Sequence, residues 1–164
     1  MESVSHLRPY MDKGAGMGNI VKFGGAPVWI QGPVSFKVGV DCDLVIDGRG
    51  GVEKAPDLTQ WIGAFSVLDG SGGLSIGEYT IISPGCKIFS HVNELPLKGA
   101  DRPVVKRKTK IGSHVYLGPN VVVCAGVTIG DGAVIGAGTY IDEDVPEGMK
   151  VIPVQRKEYE YVGK

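Results

Sequence analysis

Residues 111–146 read IGSHVY LGPNVV VCAGVT IGDGAV IGAGTY IDEDVP, six hexads with no residue left over. The first position is Ile111, Leu117, Val123, Ile129, Ile135 and Ile141, and glycine follows it in four of the six. The fifth position is small or branched throughout: Val115, Val121, Val127, Ala133, Thr139, Val145. Helices repeat every 3.6 residues and ordinary strands every two, so neither explains a strict period of six. A chain wound as a parallel β-helix does. Each hexad supplies one short flat face, three faces close a coil, and the first residue of each hexad points into the bore. Gly, Asn and Asp at the corners supply positive φ angles that β-branched residues resist.

Outward from this run the period fades and returns. VSFKVG, VDCDLV and IDGRGG place Val34, Val40 and Ile46 six apart, and the pattern then blurs from Val52 to Gln60, where a loop or single helical turn is expected. Trp61 to Leu74 reads as a further coil with a glycine-rich corner, and hexads resume at Ile76, Ile82 and Ile88. No hexad begins at position 94. Ile88 and Ile111 are 23 residues apart, not a multiple of six, so ELPLKGADRPVVKRKTK must leave the coil and rejoin it. Such excursions from a regular scaffold tend to carry function. The expected organisation is one domain: an irregular lead-in at 1–26, first coils at 27–91, an excursion loop at 92–110, regular coils at 111–146 and a cap at 147–164. Roughly six coils follow from this division. The cap is expected as a closing strand and a short helix, because an uncovered stack exposes backbone edges.

Composition narrows the function classes. A net charge of −1 gives no global field to attract nucleic acid. Three widely spaced cysteines (Cys42, Cys86, Cys124) without a CxxC pair suggest a reducing cytosol rather than disulfides or zinc. No apolar run approaches the ~18 residues of a membrane span. MESVSHLRPYMDK lacks the apolar core of a signal peptide, so a cytoplasmic protein is expected.

Three histidines are present. His91, in IFSHVN, stands where a rigid coil meets the excursion, a position suited to a general base. His114 occupies a corner where Asn or Asp would also fit, and His6 carries no signal. Their spacing does not suit a three-histidine metal site, so no metal is expected. Asp69, in the corner LDGSGG, precedes His91 by little more than one coil. It could orient the imidazole or bind an acceptor hydroxyl; equally, Asp-Gly is a good turn. The glycines there could cradle a phosphate only weakly, lacking the strand and helix that usually flank such loops. Lys98, Arg102, Lys106, Arg107, Lys108 and Lys110 make the excursion basic, suited to phosphates or an anionic substrate. Cys86 and Cys124 occupy structural positions without a neighbouring base.

WIGAFSVLDGSGGLSIGEYTIISPGCKIFSH and IGSHVYLGPNVVVCAGVTIGDGAVIGAG resemble the left-handed β-helix acyltransferases, in particular sugar O-acetyltransferases of the maltose and galactoside type and those encoded with capsule and exopolysaccharide synthesis. The resemblance covers Trp61 to Pro146, about half the chain. It implies an all-β, single-stranded left-handed parallel β-helix, a triangular prism assembling as a homotrimer with sites between subunits. It implies acetyl-CoA as acyl donor, a sugar or polysaccharide precursor as acceptor, His91 as base and Asp69 as a substrate-binding carboxylate. It also implies cofactor contacts at Gly118 and Ala137. The family's usual Thr-Lys after G-A-G-S/T is replaced by Tyr140-Ile141 and then Asp142, Glu143 and Asp144, acids where a cation is expected. Lys106 and Lys108, with Arg156 beyond the repeat, are the expected substitutes. A sugar amine as acceptor, or a non-catalytic scaffold with a decayed cofactor site, are the alternatives.

Overall fold

The computed structural model describes residues 19–23, 26–39, 42–47, 58–94 and 103–153. Every regular element among them is a strand, and most are two or three residues long. Strands this short arise because a hexad has room for only two or three extended residues before its corner.

The chain visits three sheets in rotation. The first face stacks Ala26–Gln31, Val67–Asp69, Lys87–Ile88, Val122–Val123 and Tyr140–Ile141 in parallel. The second stacks Pro33–Gly39, Leu74–Ile76, Thr109–Ile111 and Thr128–Ile129, extended by a single bridge from Ile129 to Val145. The third stacks Trp61–Ile62, Ile81–Ile82, Tyr116–Leu117, Val134–Ile135 and Lys150–Val151. Backbone bonds run from coil to coil, as where Ser83 N–H donates to the Leu117 carbonyl at 2.9 Å and Gly118 N–H to that of Ile135 at 2.8 Å.

The first hexad position fills the bore as expected. Ile62, Ile82, Leu117 and Ile135 stack on the third face, Leu68, Ile88, Val123 and Ile141 on the first, and Ile76, Ile111 and Ile129 on the second, all buried. The fourth position turns the corner. His114, Asn120, Gly126, Gly132 and Gly138 all have positive φ, as do Phe65 and Tyr79 in earlier coils. His114 therefore does the conformational work usually given to Asn or Gly.

Three expectations change. Val34 and Ile46 do not open successive faces but pair with each other, as Pro33–Gly39 and Cys42–Asp47 run antiparallel on the second face; Val40 lies outside the described residues. Each face consequently carries five layers of parallel-stacked chain, not six, with Asn19–Phe23 added antiparallel on the first. The excursion is not a loop throughout. His91–Asn93 and Val104–Lys106 form an antiparallel arm, so His91 is the arm's first strand residue rather than part of a coil. Lys150–Val151 supplies the closing strand; the helix expected after it lies outside the described residues. No described helix is long and apolar enough to cross a membrane.

Ile135 is fully buried between Leu117 and Val151. Ile135→Ala should destabilise the fold by about 2–5 kcal/mol through lost transfer energy and a residual cavity, read as a lowered urea midpoint.

Candidate active site

The corner between the first and second faces breaks the period twice in succession. Bore residues lie six apart from Ile62 to Leu68 and from Ile76 to Ile82 and Ile88. From Leu68 to Ile76 the spacing is eight, and from Ile88 to Ile111 it is 23. The first insertion makes the DGSGG turn, the second makes the arm, and they lie on consecutive coils because Val67 and Leu68 pair with Lys87 and Ile88. Stacking therefore brings Asp69 and His91 together.

His91 Nδ1 lies 2.6 Å from Asp69 Oδ2 and 2.9 Å from Ser71 Oγ. The Ser71 hydroxyl donates to Asp69 Oδ1 at 2.6 Å, and Ser71 N–H donates to the same oxygen at 3.0 Å. Oδ2 also accepts from Ser90 N–H at 2.8 Å. The carboxylate is thus acceptor on both oxygens, and its side chain is only 2 % exposed against 23 % for His91. Burial by itself would raise the Asp69 carboxyl. The Ser71 hydroxyl, the N–H groups of Ser90 and Ser71, and the His91 ring outweigh it and hold the group below its ordinary value of 3.8. An ionised Asp69 can only accept, so Nδ1–H donates to it, and in that tautomer Nε2 of the neutral ring is the accepting nitrogen.

Glycine allows this closeness. Gly72 N–H donates to Ser90 Oγ at 2.8 Å, and a Cβ on Gly72 would collide with the Ser90 carbonyl oxygen. That oxygen accepts from Arg107 N–H at 2.8 Å, where the arm rejoins the coil. Thr109, fully buried, completes the tie by donating to the Phe89 carbonyl at 2.6 Å and accepting from Gly126 N–H at 3.0 Å. The DGSGG glycines therefore serve close packing between coils.

The other expected residues are dispersed. Lys106 pairs with His91 across the arm. The Lys108 stem lies over Gly73, and that of Arg107 over Gly126 one coil further on, so both cations border the same corner. Gly118 and Ala137 belong to the corner between the third and first faces. A Cβ on Gly118 would stand 2.6 Å from Ala137 N, so that glycine has a packing role of its own. Arg156 lies outside the described residues. Among the described residues no group of three or more His, Cys, Asp or Glu could hold a metal ion. Ser71 and Ser90 were not singled out from sequence as site residues; the eight-residue spacing from Leu68 to Ile76 was the available signal.

Residues 108–143 match the family model for the bacterial transferase hexapeptide, six repeats. That match takes in the regular hexads, less than a quarter of the chain. Among curated proteins, the bifunctional protein GlmU of Micrococcus luteus is 43 % identical over 83 residues, 51 % of this chain and 15 % of its own length. The Mycobacterium tuberculosis GlmU is 58 % identical over 81 residues, 49 % of this chain and 14 % of its own length. The chain thus spans about one seventh of the length of these relatives. Among solved structures, the N-acyltransferase AntD from Bacillus cereus, in complex with dTDP and 3-hydroxybutyryl-CoA, superposes with a TM-score of 0.54 at 17 % identity, covering 94 % of this chain and 85 % of that one. A maltose O-acetyltransferase from Clostridium difficile 630 gives 0.50 at 18 %, covering 93 % and 73 %. At these identities the likeness establishes the fold.

Because the Asp69 carboxyl is depressed, its stabilisation is complete above its ordinary value and is lost as pH falls through the lower native one. Asp69→Asn should cost about 1–3 kcal/mol at pH 7, where charge-accepting bonds are lost. The gap to wild type should close on acidification below the ordinary value of 3.8, followed by urea unfolding across pH.

Proposed function

We propose that this chain is an acyltransferase that moves an acetyl group from acetyl-CoA to a sugar hydroxyl in the modification of surface polysaccharide. The observation that carries it is the 2.6 Å contact between Asp69 and His91 Nδ1, which leaves Nε2 as the accepting nitrogen at an exposed corner. His91 removes the proton of the acceptor hydroxyl as its oxygen attacks the thioester carbonyl. The C–S bond breaks as the tetrahedral centre collapses, and the imidazolium returns its proton to the departing thiolate. Direct attack requires no acyl-enzyme, in keeping with a buried Cys86 whose thiol burial pushes up and whose Sγ donates to the Gly118 carbonyl at 3.2 Å. Asp69 holds the ring in its tautomer and offsets the charge it acquires; both its oxygens already have donors, which fits positioning better than acceptor binding.

The family resemblance supports a left-handed prism and a homotrimer with the acyl donor between subunits. Trp61, Ile81, Tyr116 and Val134 align down the outer side of the third face, all exposed, an apolar strip suited to a second copy. Gly118 and Ala137 can join the site from a neighbouring subunit. Arg107 and Lys108 are the cations placed to meet the cofactor phosphates, with Arg156 a further candidate. A cytoplasmic setting fits the acyl-CoA donor.

Asp142 and Glu143, exposed on the same corner, favour a second reading, a scaffold that has lost its cofactor. Calorimetric titration with CoA separates the two. Micromolar binding near one site per chain supports the enzyme, whereas no heat at millimolar cofactor supports the scaffold. His91→Ala should lower kcat by about 10²–10⁴-fold with cofactor affinity unchanged, measured as thiol release against an acceptor panel. Retained turnover would exclude His91 as base.

A further inference from the structure

We propose that Lys106 is an acceptor-recognising residue, and that the acceptor carries a carboxylate or phosphate beside the reacting hydroxyl. This rests on His91 as base. It deepens that role by assigning the charge of what His91 deprotonates.

The argument begins with the register of the arm. His91 stands directly opposite Lys106, and the flanking bonds are Arg107 N–H to the Ser90 carbonyl at 2.8 Å and Glu94 N–H to that of Pro103 at 3.1 Å. The first bond joins the position next to the pair and the second the position three along on the other side; bonded positions alternate, so His91 and Lys106 are a non-hydrogen-bonded pair. In such pairs the Cα atoms approach to about 4.5 Å and the side chains share one face. The residues sharing that face further along are Asn93 and Val104, both uncharged. Lys106 is therefore the fixed charge on the imidazole's side of the described arm.

Its ammonium has no acidic partner among the described residues. Asp69 is buried with both oxygens taken, and Lys106 itself is exposed. With Nδ1 turned inward to Asp69, the acceptor must approach on the Nε2 side, next to Lys106. The cofactor phosphates lie a whole pantetheine arm from the thioester, too far for a side chain standing beside the base. That task falls to Arg107 and Lys108, whose stems lie along neighbouring coils.

The charge also bears on turnover. A cation beside His91 that has no acidic partner among the described residues repels the positive charge that forms on the ring as the hydroxyl proton is taken. A bound carboxylate or phosphate neutralises Lys106 and removes that opposition. An anionic acceptor thus gains in binding and in proton transfer, while a neutral sugar gains in neither.

The test uses glucuronate, glucose 1-phosphate and glucose as acceptors in thiol release, with wild type, Lys106→Gln and Lys106→Arg. Wild type should prefer at least one anionic sugar over glucose by about tenfold or more in kcat/KM, as expected for a charge-assisted contact. Lys106→Gln should abolish that preference by lowering turnover of the anionic sugar without lowering that of glucose, from which it lifts the opposing charge, and Lys106→Arg should keep part of the preference. Which anionic sugar responds distinguishes carboxylate from phosphate. Equal loss on all three acceptors, or no preference in wild type, overturns the proposal. In parallel, either anion should shift the His91 ring resonances of wild type in a salt-sensitive way, and neither should do so in Lys106→Gln. Shifts without thiol release would overturn acyl transfer and leave the anion site standing. The absence of any anion-dependent shift would overturn the site itself.

Discussion

Parallel stacking at the roughly 4.8 Å spacing of neighbouring strands is the constraint on which everything else in this molecule depends. Each inward residue must sit on its counterpart one coil away. A residue added within a face would turn every later bore side chain outward, because side chains alternate. Extra chain can leave only at a corner. Two insertions, of two and seventeen residues beyond the hexad, leave by the corner between the first and second faces on consecutive coils. The site is a consequence of stacking one irregular turn on another.

That arrangement also explains its rigidity. Asp69 is anchored by Ser71 in its own turn and by Ser90 in the next coil, so the carboxylate clamps the two insertions together. Gly72 lets the turn press against the Ser90 backbone, and Thr109 ties the arm's return to the coils on both sides. In the proposed role of base, an imidazole oriented this way would lose little freedom on meeting an acceptor. The arm, joined to the coil at the same point, turns the small corner into a surface with charge of its own.

Much of this was legible in the sequence, and the failures have a common cause. The run from Ile111 gave bore, corners and faces residue by residue, because six consecutive hexads have no competing explanation. Val34, Val40 and Ile46 misled because six is also a multiple of two. Over two or three repeats an antiparallel hairpin alternates in a way that imitates the coil. Asp69 and His91 could be singled out from type and place, but Ser71 and Ser90 could not, since serine is ordinary in turns. Their role appears only when spacing is measured between bore residues, where eight replaces six. Gly118 and Ala137 came from the resemblance alone, and they stand on another corner, between the third and first faces.

The acids at 142–144 looked in the sequence like the strongest objection to a cofactor site. Their places in the stack reduce it. Asp144 Oδ1 accepts from Thr128 N–H at 2.7 Å, supplying a bond near the end of the second face, where only the Ile129–Val145 bridge continues the ladder. That acid has a structural task. Asp142 and Glu143 follow Ile141, two coils beyond Ile88 on the first face, which at the strand spacing is about 10 Å. An exposed charge at that distance is beyond the roughly 8 Å screening length of physiological salt. Arg107, lying over Gly126, intervenes one coil nearer to His91. The corner thus runs from base to cation to acid, and a phosphate held at the Arg107 level meets the cation before it meets the repulsion. The order of charges along the stack, more than their sum, favours an occupied cofactor site.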